Sequence, residues 1–91
     1  MIKVQKQKIN ISEENKKLLK KKIGAVVNFI GVARPKNSSG KIQYIEIEHY
    51  PGMTEKKIKE IEIYVTKKWK LNNCIIIHRY GKIIPGENIV Y

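Results

Sequence analysis

Residues 42–69, with the sequence IQYIEIEHYPGMTEKKIKEIEIYVTKKW, join a strand pattern to a helix pattern at a sharp corner. Before the corner, apolar and polar residues alternate, with Ile45 and Ile47 on the side expected to face inward. The corner itself contains Pro51 and Gly52, which are typical turn residues. After it, apolar residues recur three or four positions apart, as in an amphipathic helix. They are Ile58, Ile61, Val65 and Trp69.

The residues before this stretch predict a strand and a helix. Alternation at Ile2 and Val4 is typical of a first strand. Ser12 is a good N-cap for a helix that is expected to reach about Lys22, where Gly24 ends it.

An apolar run, GAVVNFIGV, follows at residues 24–32. Because it is rich in β-branched residues and lacks charge, it predicts a central strand that is buried on both faces. A polar loop at 33–40 separates it from the next predicted strand, at 41–49.

The rest of the chain completes the fold. The second helix is predicted to start at its N-cap, Thr54, and to end near Trp69. CIIIHRY at 74–80 predicts another buried strand, and NIVY at 88–91 starts a last one. The order β-α-β-β-α-β-β predicts an α+β two-layer sandwich, with a mostly antiparallel sheet and helices on one face.

Length and composition predict a single domain, residues 1–91, located in the cytoplasm. The sequence contains neither a run of 18 apolar residues nor a charged and then apolar leader. Its one cysteine, Cys74, excludes an internal disulfide. A domain of this size buries only about 60–65% of its unfolded surface, so a partner subunit would stabilise it.

The net charge of +11 has two interpretations. Lysines are spread over both predicted helices, which favours a solvated surface over an anion-binding face. An RNA-binding sheet of this topology would need exposed aromatic residues on its central strands. The candidates are Phe29, His78 and Tyr80, which give a weak signal.

Few residues of the sequence are candidates for a catalytic or metal-binding role. Cys74 begins an apolar strand without a neighbouring base, which favours an inert thiol over a nucleophile. His49 and His78 could act as acid–base groups, although a strand histidine is more often structural. Since no cluster of ligands accompanies them, the sequence predicts neither a metal site nor a bound cofactor.

The two arginines are more informative in a chain that otherwise uses lysine. A guanidinium grips a phosphate or carboxylate with two parallel hydrogen bonds, which an ammonium group cannot reproduce. Arg34 lies where the apolar run meets the polar loop, and is a candidate anion ligand. Arg79 lies inside an apolar strand, and the structural alternative pairs it with Glu46 or Glu48 across the sheet.

Several blocks together resemble the large, catalytic subunit of molybdopterin synthase, the MoaE family. These blocks are GAVVNFIGVAR (24–34), Gly40, IEIEHYPGMTEKKIKEI (45–61), Trp69 and IIIHRYGKIIPGE (75–87). Their order and spacing match the family over residues 24–91, whereas residues 1–23 carry little of the resemblance. In the family, the side chains of the YPGM corner have a packing role and not a chemical one. The resemblance therefore implies that Tyr50 and Met53 fold over the end of the sheet.

The resemblance implies a reaction and partners. In that family a small ubiquitin-like subunit (MoaD-like) carries a C-terminal thiocarboxylate, and the large subunit holds cyclic pyranopterin monophosphate and transfers sulfur to it. The large subunits form a homodimer. Arg34 matches the substrate-contacting arginine of the family, which makes Val32, Ala33 and Arg34 the expected substrate-binding residues.

The family pattern continues past this sequence, with a second His-Arg pair and two lysines that are usually assigned to substrate binding and catalysis. His78-Arg79 matches the earlier, structural pair, and Lys82 matches no catalytic lysine, so no catalytic residue is predicted here. The domain is expected to be truncated at Tyr91. Two alternatives stay open: a non-catalytic MoaE-like module that dimerises or binds the small subunit, and a small basic α+β domain that binds RNA.

Overall fold

The computed structural model describes residues 1–19 and 22–91 of the chain. Those residues contain helices α1 (Ile11–Leu18) and α2 (Met53–Trp69). The strands are β1 (Ile2–Gln5), β2 (Gly31–Val32), β3 (Lys36–Asn37), β4 (Gly40–Lys41), β5 (Ile45–Ile47), β6 (Ile76–Arg79), β7 (Gly81–Ile83) and β8 (Asn88–Val90). The predicted α+β class is confirmed. The order differs from the prediction because the 33–40 loop folds into the β3–β4 hairpin and because β7 adds a strand after β6.

The main sheet has the strand order β1-β6-β8-β2. Strand β1 runs parallel to β6, with Ile2 opposite Ile76, whereas β8 is antiparallel to both β6 and β2. Strands β5 and β7 form a separate antiparallel pair. The mostly antiparallel prediction is therefore confirmed. The core on this sheet centres on Ile9, Ile77 and Tyr91, all of them buried.

Helix α1 begins two residues earlier than predicted and is capped by a different side chain. The Oδ1 atom of Asn10 accepts a hydrogen bond from the backbone N–H of Glu13 at 3.1 Å, so Asn10 is the N-cap and the prediction of Ser12 was wrong. Asparagine and serine are equally good caps, which is why propensity could not separate them. The helix ends at Leu18 and Lys22 is not helical, so the predicted end near Lys22 was wrong; Lys20 and Lys21 lie outside the described residues.

Helix α2 matches its predicted extent closely but not its predicted cap. Gly52 is the N-cap, with a φ of 86°, and its N–H donates to a carboxylate oxygen of Glu55 at 2.6 Å. Thr54 lies inside the first turn, where its hydroxyl donates to the carbonyl of Tyr50. Tyr50 and Met53 are 60% and 68% exposed, so the expectation that they cover the sheet was wrong. The corner is held by backbone and carboxylate contacts instead.

The segment 24–30 departs most from the prediction. Only Gly31 and Val32 of the apolar run form a strand, and Val27 and Phe29 are 94% and 74% exposed. The expectation of a central strand buried on both faces was wrong for this chain. The physical reason is that β8 pairs with Gly31 and Val32 alone, so the described residues offer the apolar side chains before them little to pack against.

Helix α2 shows a similar exposure of predicted core residues. It packs mainly against β1, and on that side it buries the carboxylate of Glu62 beside Lys59. Ile61 and Trp69, two of the four predicted inward residues, are more than half exposed. The Cα radius of gyration is 14.7 Å, compared with about 12 Å for a compact domain of this length. Within the described residues, neither helix combines the length and the apolar character that a membrane crossing would require.

Candidate functional site

The predicted substrate-binding residues, Val32, Ala33 and Arg34, lie at the end of β2, where the main sheet gives way to the β3–β4 hairpin. A register shift between Gly31 and Val32 bends the strand next to them. Such bulges redirect side chains at the edges of sheets. The three residues therefore lie at a bent sheet end.

Ala33 is fixed by two backbone hydrogen bonds. Its N–H donates to the carbonyl of Glu87, and its carbonyl accepts from the N–H of Gly86, both at 2.9 Å. The side chain is 1% exposed. Ala33 thus fastens the end of β2 to the turn before β8, and it sets the direction in which the chain leaves the sheet.

Arg34 follows this fixed point and is exposed. Among residues 1–19 and 22–91, no carboxylate oxygen lies within 4 Å of its guanidinium. Two residues further on, Lys36 is opposite Lys41 in the hairpin, and both are exposed. Positive charges that follow one rigid point can attract a phosphate and hold it by charge-assisted hydrogen bonds.

Next to Ala33, the buried side chain of Arg79 pairs with the partly exposed carboxylate of Glu87. The Nε and Nη2 atoms of Arg79 both donate to the carbonyl of Lys6, at 3.1 and 3.0 Å. The Nη1 atom of Arg79 lies 3.5 Å from Oε1 of Glu87, an ion-pair distance without hydrogen-bond alignment. The predicted pairing of Arg79 with Glu46 or Glu48 was wrong, because the guanidinium turns toward the N-terminal loop and Glu87.

Glu87 joins several parts of the chain. Its carboxylate accepts the N–H of Ile84 at 3.0 Å and lies 3.2 Å from the ammonium of Lys8. The Ile84 N–H is the largest cause that lowers the pKa of Glu87, and the charges of Lys8 and Arg79 lower it further. Glu87 therefore stays ionised and holds the turn that positions Ala33.

The two histidines have neighbours typical of structural residues. The His49 ring stacks on Tyr80, with centroids 4.4 Å apart, and its Nε2 atom lies 3.0 Å from a carboxylate oxygen of Glu55. The Nδ1 atom of His78 contacts the carbonyl of Arg79 at 2.8 Å. Neither arrangement presents an acid–base group beside Ala33 or Arg34.

Cys74 has the environment of an inert thiol. Burial is the main cause that raises its pKa, and the negative charge of Glu62 raises it further. A raised pKa keeps the sulfur protonated at neutral pH and therefore weakly nucleophilic. Within the part of the chain that is described, no group of three or more potential metal ligands was found.

The aromatic residues considered for RNA do not form a common face. Phe29 is exposed but lies before β2, in a segment that pairs with no strand among the described residues. The Tyr80 ring contacts the ring of His49, and the ammonium of Lys6 lies 5.8 Å from the Tyr80 ring centroid. A stacking platform would need free ring faces on adjacent strands.

Comparisons with known proteins show the family of the chain. The family model described as MoaE protein matches residues 4–91. The chain belongs to the MoaE family. A molybdopterin synthase catalytic subunit from Mesorhizobium japonicum is 40% identical over 91 residues, which cover 98% of this chain and 56% of that protein. A protein of the same name from Vibrio cholerae serotype O1 is 37% identical over 90 residues and is covered to 60%.

The fold is shared with solved structures. The molybdopterin biosynthesis MoaE protein from Burkholderia ambifaria superposes with a TM-score of 0.85 and 32% sequence identity, covering 99% of this chain and 59% of that one. The cofactor biosynthesis protein E from Burkholderia multivorans gives a TM-score of 0.84. The chain thus spans little more than half the length of the relatives it matches.

The sequence predicted Arg34 as a substrate ligand but did not indicate the contacts that fix Ala33 next to it. Glu87 and Gly86 end the quoted block IIIHRYGKIIPGE, and Arg79 lies within it. The block therefore contains both partners of the Arg79–Glu87 ion pair and the turn that binds Ala33. Spacing alone gave no signal for the contact between Arg79 and Lys6, because the two residues are far apart in the sequence.

Proposed function

We propose that this chain acts as the large-subunit component of molybdopterin synthase in molybdenum cofactor biosynthesis. The reaction is sulfur transfer from a thiocarboxylated, MoaD-like small subunit to cyclic pyranopterin monophosphate. The observation that carries the proposal is family membership over residues 4–91, together with an exposed Arg34 that follows the fixed Ala33. The proposed organisation is one domain over residues 1–91, acting in the cytoplasm as a homodimer.

Val32, Ala33 and Arg34 are the proposed substrate-binding residues. Ala33 contributes position, because its backbone bonds to residues 86 and 87 fix the end of β2. Arg34 contributes charge, since its exposed guanidinium can hold the substrate phosphate with two parallel hydrogen bonds. The net charge of +11 favours the approach of an anionic substrate and of an acidic donor tail.

The direct test is reconstitution. The chain, joined to the residues of the Mesorhizobium japonicum relative that lie outside its matched region, is mixed with thiocarboxylated small subunit and cyclic pyranopterin monophosphate, and formation of the dithiolene product is measured. We expect turnover that falls at least about 10-fold in Arg34→Ala. The matched control is Lys67→Ala, which removes the same charge from an exposed position of α2 and leaves turnover unchanged.

A second candidate is a MoaE-like module that binds the small subunit without turnover. It rests on the same family membership over residues 4–91 and requires only that the chain binds the small subunit. A stable complex with the small subunit but no product would support this candidate over the first. Absence of both binding and product at micromolar concentration would contradict both candidates.

A further inference from the structure

Two like charges face each other on the β3–β4 hairpin that follows Arg34. Lys36 and Lys41 are direct cross-strand partners, and both are exposed. Directly opposed side chains of an antiparallel pair lie on the same face, with Cβ atoms about 5 Å apart, so the two ammonium groups repel each other. We call these two residues the lysine pair. An anion that binds beside them would remove the repulsion and stabilise the hairpin.

The fold positions the lysine pair but does not neutralise it. The N–H of Ile42 donates to the carbonyl of Pro35 at 2.8 Å, and Oδ1 of Asn37 accepts the N–H of Ser39 at 2.9 Å, so backbone contacts close the hairpin. Residues 33–45 contain neither Asp nor Glu. Among the described residues, no carboxylate oxygen lies within 4 Å of either ammonium group. The pair is therefore available to an anion from outside the described fold.

The substrate phosphate does not need the lysine pair. In the proposed function, on which this inference rests, Arg34 holds that phosphate. A cyclic phosphate is a diester with a single negative charge, which one guanidinium balances. The thiocarboxylate of the small subunit must reach the substrate, so its charge also lies beside Arg34. The lysine pair is left for other acidic groups.

We propose that the lysine pair is a docking site for acidic side chains on the surface of the small subunit, separate from its thiocarboxylate. Ammonium groups on flexible stems suit this role, because they attract carboxylates over about 8–10 Å at moderate salt without requiring one fixed geometry. Charges at the rim of an interface act mainly on the association rate and on its salt dependence. The pair thus guides the small subunit to the hairpin, next to the substrate held by Arg34.

The test measures the rate at which the small subunit associates with the chain, by stopped-flow fluorescence at low and at high ionic strength. The probe is the MoaD-like small subunit of the same organism with an ordinary C-terminal carboxylate, which cannot transfer sulfur. Lys36→Glu combined with Lys41→Glu is expected to slow association at least about 10-fold at low ionic strength, and much less at high ionic strength. Lys36→Gln combined with Lys41→Gln, which removes the repulsion and so preserves the hairpin, is expected to slow it about 3-fold.

The matched control combines Lys56→Glu with Lys67→Glu. It changes the net charge by the same amount, at two exposed positions of α2 whose ammonium groups lie in no ion pair among residues 1–19 and 22–91. We expect it to slow association less than about 3-fold, since only the overall charge changes. Equal rates for the control and for the glutamate variant of the lysine pair would overturn the proposal.

A second probe, the same small subunit without its last two residues, distinguishes its surface from its tail. The effect of the lysine-pair variants is expected to persist with this probe, and its disappearance would assign the pair to the tail and overturn the proposal. A weaker affinity of these variants for cyclic pyranopterin monophosphate would overturn it as well, since the pair would then bind the substrate. If the chain alone does not associate, the joined form used for the reconstitution is measured, and no association of that form also overturns it.

The outcome is separable from that of the proposed function. Product formation by the unmodified joined form is measured independently in the reconstitution. Product together with any of the contrary results above overturns the docking site alone, whereas absence of product contradicts the proposed sulfur transfer.

Discussion

Arg79 and Glu87 face each other behind the candidate site, with Nη1 and Oε1 separated by 3.5 Å. Arg79 fastens the N-terminal loop through the carbonyl of Lys6, and Glu87 fastens the turn whose backbone binds Ala33. The pair thus connects the interior of the fold to the position of Arg34. Both residues lie in the block IIIHRYGKIIPGE.

Replacing Arg79 by alanine is expected to lower the free energy of unfolding by about 3 kcal/mol, because it leaves Glu87 with one cation fewer and the Lys6 carbonyl without its donors. Urea denaturation followed by circular dichroism measures the change. Arg79→Lys, which keeps the charge but loses the planar fork, is expected to cost less. A loss in Arg79→Ala no larger than in the exposed Lys67→Ala would show that the ion pair is dispensable.

The free energy of unfolding is expected to fall in acid. The pKa of Glu87 is lowered in the folded state, first by the Ile84 N–H, so this group stabilises the fold fully above its unfolded value of about 4.3. That contribution is lost as the pH falls through the lower, folded pKa. Urea midpoints measured from about pH 3 to pH 6 test this. Glu87→Gln should flatten the profile, whereas Glu60→Gln, at an exposed position, should not; identical profiles would contradict the assignment.

Gly86→Ala is expected to cost about 1–2 kcal/mol of stability, because Gly86 has a φ of 90° and only glycine adopts this region without strain. A Cβ atom there would meet nothing within 4 Å, so the cost is conformational. Gly24→Ala is the matched control, since its Cβ also has free space and its φ lies outside the left-handed region. Thermal unfolding compares the two, and equal midpoints would contradict the role of the turn.

Glu55→Ala is expected to destabilise the start of α2 by about 1 kcal/mol, the usual cost of losing a helix cap. One oxygen of Glu55 accepts the N–H of Gly52, and the other lies 3.0 Å from His49. Glu60→Ala removes a carboxylate from the same helix without touching the cap. Amide exchange at the first turn should increase in Glu55→Ala alone; unchanged protection there would mean that the carboxylate does not cap the helix.

The sequence predicted local elements well where one segment carries its own signal. The three- and four-residue spacing from Ile58 to Val65 located α2, which ends at Trp69 as predicted. Alternation at Ile2 and Val4 located β1. The blocks that resemble the MoaE family then indicated Arg34 as a substrate ligand. They could not show that Ala33 is held by residues 86 and 87.

The sequence could not indicate which apolar residues are buried against another part of the protein. The hydrophobicity of segment 24–30 predicted that it is buried. Burial depends on a second surface, however, and the described residues supply one only from Gly31 onward. The same reasoning failed for Ile61 and Trp69 on α2. Asparagine and serine have similar N-cap propensities, so the sequence could not decide whether Asn10 or Ser12 caps α1.

The central claim, that Arg34 binds the substrate phosphate, is tested most directly by the affinity of the chain for cyclic pyranopterin monophosphate, measured by titration calorimetry. We expect binding that Arg34→Ala weakens about 10- to 100-fold, the range expected for losing charge-assisted hydrogen bonds. The unfolding midpoint should stay unchanged, because Arg34 is exposed. Equal affinities for the unmodified chain and Arg34→Ala, with both folded, would contradict the claim.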